Sequence, residues 1–147
     1  MHSIKITVFV CVIFLVSEAK ELPKEIKDMV MMMTEDCRKN NGLPDAEMTK
    51  ILEGKLSETK PAKCTLTCLL KQFHMAKTND RFLEVDCEAA NSMAAMSGTD
   101  KTKLDKGKEI CDICKAPREA DECEFSGTFV KCVLKEATAR GIKLNDM

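Results

Sequence analysis

The sequence predicts an all-α fold of six helices. Three observations carry that prediction. Apolar residues recur at the i, i+3, i+4, i+7 spacing of a single helical face, and no segment alternates apolar and polar residues at the period of two that a strand requires. Glycine, proline and short Asn/Asp clusters separate the periodic stretches, and no internal repeat is present.

The first helix is read from Pro23, a residue tolerated in a first turn, through Ile26, Met29, Val30, Met33 and Cys37. Asn40-Asn41-Gly42 stops it. A second helix starts near Pro44-Asp45, buries Met48, Ile51 and Leu52, and ends before Gly54. After Lys60-Pro61 comes CTLTCLLKQFHMAK, where Cys64 and Cys68 lie one turn apart and Leu66, Leu69, Leu70 and Phe73 form an apolar side. Thr78-Asn79-Asp80 reads as a turn, and Phe82 to Met96 as a fourth helix carrying Val85, Cys87, Met93 and Met96. Ser97-Gly98-Thr99-Asp100 breaks that helix. Asp100 caps a fifth with Leu104, Ile110, Cys111, Ile113 and Cys114, ended by Pro117. Asp121 with Glu124 three residues on resembles a capping box, and it opens a last helix through Phe129, Val130, Val133 and Leu134 to about Ala139, with Gly141 as its stop.

The N-terminus sets the compartment. Residues 1–19, MHSIKITVFVCVIFLVSEA, combine Lys5, an unbroken apolar run from Ile6 to Val16 and a Ser17-Glu18-Ala19 ending, which is the pattern of a secretory signal cleaved after Ala19. The apolar run is too short for a membrane span, and the charged KELPKEIKD follows it, so no stable membrane insertion is expected after cleavage. Residues 20–147 then form one secreted, extracellular domain. Cleavage removes Cys11 and turns nine cysteines into eight, an even set for an oxidising compartment. Losing Lys5 and Glu18 leaves the formal charge at −1, which offers no electrostatic reason to expect nucleic acid as a partner.

The cysteines are arranged with a recognisable spacing. Cys37 is followed by 26 residues and Cys64, then three residues and Cys68, then Cys111 and Cys114, then Cys123, eight residues and Cys132. With the signal sequence and the helical patterning, this resembles the insect odorant-binding proteins, the pheromone and general odorant-binding family. NGLPDAEMTKILEGKLSE is similar to the segment that family carries before its second cysteine, and CTLTCLLKQF resembles its CxxxCL helix. DECEFSGTFVKC resembles its ending, with Ser126 where the family usually has alanine. The resemblance covers residues 22–139. The three-residue and eight-residue spacings are specific in combination, and neither is specific alone.

The resemblance implies the pairs Cys37–Cys68 and Cys64–Cys123, with Cys132 joined to one cysteine of the CxxC. The family core uses six cysteines, so Cys87 and the other CxxC member are additional and imply a fourth bridge. Cys114–Cys132 with Cys87–Cys111 is the favoured arrangement, and exchange of Cys111 and Cys114 is the alternative. Within ICDICKAPREADECEFSGTFVKC the CxxC lies several residues into a helix, whereas a redox pair favours an exposed helix N-terminus. Zinc would want a closed set of four ligands, and the mature chain offers one histidine, His74. The sulfurs are therefore read as structural bridges, each contributing about 2–4 kcal/mol. No metal and no cofactor is expected.

The resemblance also implies an internal apolar pocket, a costly feature at about 24 cal/mol per Å³ of void, which bridges help a small fold sustain. Helix face and family position nominate Met48, Ile51, Leu52, Leu69, Phe73, Phe82, Met93, Met96, Phe129, Val130 and Leu134 as its lining. Flexible methionines and few aromatics suit aliphatic guests. A guest of about 14 methylene-sized groups gains roughly 11 kcal/mol on burial and loses at least about 4 kcal/mol on association, which leaves micromolar affinity. Met29 to Met33 reads as core or as pocket wall, and Phe73 and Phe129 as either. His74 reads as solvated, with acid sensing as the alternative. TDKTKLDKGKE reads as a solvated face. The tail GIKLNDM either lays Ile142 and Leu144 over the pocket mouth or is unstructured; Asp146 is its one acid, too little for a pH-driven switch.

The implied function is a secreted carrier of small hydrophobic molecules, such as odorants or pheromones, with that ligand and a sensory receptor as partners. A carrier or scavenger in another body fluid is the same fold in a different tissue. A toxin or inhibitor acting on another protein is the third reading, and it predicts an exposed apolar patch over a filled core. An enzyme is not expected, because no nucleophile–base constellation is legible.

Overall fold

From Lys24 the chain runs helically to Asn41, but not as one rod. The computed structural model describes residues 24–52, 57–96 and 98–142. The signal-like residues 1–19, Pro23, Gly54 and residues 143–147 lie outside them. Helix α1 spans Lys24–Met33 and α2 spans Glu35–Asn41, with Thr34 between them. The Thr34 hydroxyl donates to the Val30 carbonyl at 2.8 Å, a back-bond of the kind that bends helices. The same oxygen accepts from Arg38 Nε at 3.0 Å, and Arg38 also donates to the Met31 carbonyl at 2.6 Å and to Asp45. Arg38 is buried, and these bonds brace the break at Thr34 and tie Asp45, at the start of the next helix, to it. Gly42 closes α2 at φ +69°, a conformation that costs glycine little.

Helix α3 is Asp45–Leu52 and α4 is Lys60–Gln72, the latter capped by Thr59, whose hydroxyl accepts from Ala62 N. The chain then departs from the expected six helices. Ala76–Asn79 (β1) and Phe82–Val85 (β2) form an antiparallel hairpin in the register Ala76↔Val85, Lys77↔Glu84, Thr78↔Leu83 and Asn79↔Phe82. Asp80, at φ +60°, turns the two-residue loop. Phe82–Val85 is thus strand rather than helix. Leu83 and Val85 are buried while Phe82 and Glu84 are half-exposed, and Val85 N donates to the Lys115 carbonyl at 2.9 Å. The helix expected from Phe82 begins at Cys87, where Asp86 accepts from Ala89 N at 3.0 Å.

Helix α5 is Cys87–Met96, α6 is Lys101–Cys114 and α7 is Glu122–Ala139. Asp100 caps α6 by accepting from Lys103 N, and Asp121 caps α7 by accepting from Cys123 N. Among the described residues this makes seven helices, because the break at Thr34 divides the first. The fold is all-α with one small hairpin.

Among the described residues, helices α4 and α7 make the most extensive interface. Thr67 donates to the Glu122 carbonyl at 2.7 Å, and the Ser126 hydroxyl donates to the Lys63 carbonyl at 2.8 Å. Lys63 pairs with Glu124 at 3.0 Å. A serine here therefore links two helices that an alanine would only pack.

Candidate functional site: two apolar clusters in a disulfide frame

Four disulfides join the helices in series. Cys37–Cys68 links α2 to α4, Cys64–Cys123 links α4 to α7, Cys114–Cys132 links α7 to α6, and Cys87–Cys111 links α6 to α5. Of the two arrangements open for the CxxC, the structure contains the one in which Cys114 meets Cys132. Every cysteine in the described residues is bridged, which leaves no thiolate to act as nucleophile or ligand. Among the described residues no group of three His, Cys, Asp or Glu side chains is placed to hold a metal ion, and no helix is long and apolar enough to cross a membrane.

Among the described residues, the buried apolar side chains form two clusters. The larger is built on α4, the hairpin and α5 to α7, around Leu69, Leu70, Met75, Leu83, Val85, Ile110, Phe125 and Phe129. Of the residues expected to line a pocket, it contains Leu69 and Phe129, with Phe73, Met93 and Val130 packed against it. The smaller cluster is Val30, Leu43, Met48, Leu52 and Ala62, with Met31 and Ile51 at its edge. It brings together the nominated Met48, Ile51 and Leu52. Leu134 is half-buried on α7.

Phe82 and Met96 stand apart from both clusters. Phe82 lies on a strand rather than on the expected helical face, so it points opposite to Leu83, and the Arg118 guanidinium sits 5.1 Å from its ring centroid. Met96, the last residue of α5, is 59% exposed. Ile142 packs against the larger cluster, just beyond the Gly141 turn at φ +65°.

Sequence reading missed two things about this interior. Met75 is 1% exposed yet sits between a helix and a strand, where no periodicity marks it as core. Thr65 is 2% exposed, and its hydroxyl has no hydrogen-bond partner. The cue available for Thr65 was the pair of threonines in CTLTC. Thr67 finds a carbonyl on α7 and Thr65 finds nothing.

A cleft of about 50 Å³ lies between α5 and α6 over the Cys87–Cys111 bridge, lined by Ala90, Asn91, Leu104, Gly107 and Lys108 among others. Ligand pockets begin near roughly 300 Å³, so this notch is far too small for the aliphatic guest envisaged above.

Comparison with known proteins agrees with this architecture. The profile of the PBP/GOBP family matches residues 19–136. General odorant-binding protein 28a of Drosophila melanogaster is 28% identical over 121 residues, covering 81% of this chain and 82% of the relative. General odorant-binding protein 19d of the same fly is 22% identical over 99% of this chain and 98% of its own. The solved structure of Drosophila odorant-binding protein 28a superposes with a TM-score of 0.60 at 28% identity, covering 76% of this chain and 92% of that one.

Proposed function

The chain belongs to the PBP/GOBP family, and from that premise we propose that it is a secreted carrier that holds small hydrophobic molecules in its helical interior and moves them through aqueous fluid. The observation that carries this reading is the family match over the full disulfide-framed domain. The physics supports it. A carrier needs an apolar interior shielded from water and a shell that keeps its shape when that interior is incompletely packed. Covalent links between five of the seven described helices supply such a shell. The nominated residues that belong to the two clusters, Met48, Ile51, Leu52, Leu69, Phe73, Met93, Phe129 and Val130, are the lining this reading assigns, with Leu134 beside them on α7.

Among the described residues, the exposed large apolar side chains Met32, Met96 and Ile113 lie on three different helices.

The test is titration of a fluorescent apolar probe into the oxidised protein, followed by displacement with aliphatic alcohols and esters. Saturable probe binding with micromolar displacement is expected. If no aliphatic guest displaces the probe, the carrier reading fails. The chain has no Trp or Tyr, so the signal has to come from the probe. Delivery to a sensory receptor, as against carriage in another fluid, is decided by mapping the transcript across tissues.

A further inference from the structure

Met48, Leu52, Leu69 and Phe129, four of the side chains assigned as lining, are between 3% and 8% exposed, so a guest reaches them only after some element moves aside. The disulfides restrict which element that is. They tie α2, α4, α7, α6 and α5 into one series, and parting neighbours in that series works against a covalent link. Helices α1 and α3 carry no bridge. Helix α1 is joined to the bridged α2 at Thr34, whose hydroxyl and carbonyl both accept from Arg38. Helix α3 is held differently. It contributes Met48 and Leu52 to the smaller cluster, alongside Val30, Leu43 and Ala62.

Two features at the start of α3 have the form of a hinge and a latch. Gly42 lies between α2 and α3 at φ +69°, and a Cβ placed there would meet no atom within 4 Å, so rotation at this residue displaces no packing. The Arg38 guanidinium, on the α2 side, donates to the Asp45 carboxylate in the first turn of α3. The partners are unequal, with side chains 7% and 80% exposed. Water readily replaces Arg38 at Asp45, and a released Arg38 keeps its bonds to Thr34 and to the Met31 carbonyl. The Thr59 hydroxyl adds a weaker tie, donating to Glu47 at 3.3 Å on the surface. Both fastenings reclose as easily as they open. Ala62 and Leu69 stand two turns apart on one face of α4, the first in the smaller cluster and the second in the larger. Lifting α3 thus uncovers a route along α4 from one cluster to the other.

We propose that α3 is the port of the carrier site: guests enter and leave beneath Met48 and Leu52 as α3 swings about Gly42, and the Arg38–Asp45 ion pair is the latch that sets how often it opens. The inference rests on the carrier reading and adds a route and its control. It has a kinetic signature. The latch closes over the empty and the filled interior alike, so weakening it speeds entry and exit by the same factor and leaves the affinity where it was.

The experiment follows N-phenyl-1-naphthylamine, an uncharged probe, by stopped-flow fluorescence as it enters and leaves the oxidised protein. Asp45→Asn is expected to raise the association and dissociation rates together by roughly two- to fivefold, the range for an ion pair with one solvated partner, at unchanged Kd. Glu47→Ala, which cuts the second tie, acts in the same direction and less. Lys71→Gln removes an exposed ion pair to Glu122 between the bridged α4 and α7, and it leaves both rates alone. Molar sodium chloride brings wild type toward Asp45→Asn and changes the variant little. Three results overturn the port while leaving the carrier intact: unchanged rates in Asp45→Asn, faster dissociation alone with a weakened Kd, or an equal acceleration in Lys71→Gln. Absence of probe binding by wild type overturns the carrier reading and the port with it.

Discussion

The larger apolar cluster includes Cys37, Cys87, Cys111 and Cys114 among its buried members, so its packing and its covalent frame are the same object. The smaller cluster, Val30, Leu43, Met48, Leu52 and Ala62, contains no cysteine, and neither α1 nor α3 carries a bridge. It is held by apolar contact, by the Arg38 network on Thr34, Met31 and Asp45, and by α2, the helix tethered through Cys37–Cys68. The two regions have similar side-chain chemistry and different restraint. The difference predicts that the unbridged end opens locally, without straining a covalent bond, before the bridged end does.

The most severe way to break this contrast is to remove the central bridge. Cys64→Ser with Cys123→Ser opens a loop of sequence separation 59, whereas Cys114→Ser with Cys132→Ser opens one of 18. Loop-closure entropy predicts losses of about 4 and about 3 kcal/mol respectively, to be read from urea unfolding of each double variant. A reversed order would place the stabilisation in native contacts around Cys114 rather than in the unfolded chain.

A core truncation at the unbridged end comes next. Met48→Ala is expected to cost about 2–3 kcal/mol, toward the lower part of the range for buried methionine because α3 can settle into the space. Its distinguishing signature is spatial. Hydrogen exchange should accelerate at the amides of α3 and remain slow in α7, which the bridges hold to α4 and α6. Equal acceleration in both would mean that the two clusters unfold as one cooperative unit.

The contrast also shows what sequence could reveal. The helices of the bridged region were legible because a 3.6-residue period runs through α4, α6 and α7 and because Asp100 and Asp121 mark the starts of the last two. The break at Thr34 was not, since Val30, Met33 and Cys37 keep the same apolar period across it. The Thr34 hydroxyl and Arg38 are what mark the interruption. The hairpin was hidden by length, because four residues are too few for alternation to show, and Phe82 and Val85 fit a helical face equally well. That one misreading moved Phe82 into the expected lining. Which polar residue lacks a partner is a property of tertiary contacts, so Thr65 and Thr67 were indistinguishable until α7 was in place.

A smaller effect sharpens the bridged side. Asp121 accepts from Cys123 N at the start of α7, beside the bridge that fixes the same turn to α4. Asp121→Ala should cost about 1 kcal/mol, as loss of an N-cap does. Made in the Cys64→Ser, Cys123→Ser background, the same substitution should cost more, because the first turn then has no covalent tether and depends on its cap. A double-mutant cycle by urea unfolding measures that coupling. Strict additivity would show that the bridge acts on the unfolded chain alone.

The smallest effect lies on α2, the helix through which the bridged frame reaches the unbridged end. Glu35 and Lys39 form an i, i+4 pair there. The hydrogen bond from Lys39, followed by its charge, holds the Glu35 carboxyl below its ordinary range, and the same two causes raise Lys39 above its own. The signs fix a window. A depressed carboxylate contributes stability above its unfolded value and loses it as pH falls through the lowered folded value, whereas a raised amine contributes below its unfolded value and loses it as pH rises through the raised one. The pair thus supports α2 across neutral pH and fails at both extremes. Both side chains are exposed, so the contribution is slight and screened by salt. An NMR titration of the Glu35 side-chain carboxyl carbon should give a midpoint below that of an ordinary glutamate, and Lys39→Gln should return it to the ordinary range. Molar salt should do most of the same. An unchanged midpoint in Lys39→Gln would detach the pair from the stability of α2 and leave Cys37–Cys68 and Arg38 as what ties the two ends of the interior together.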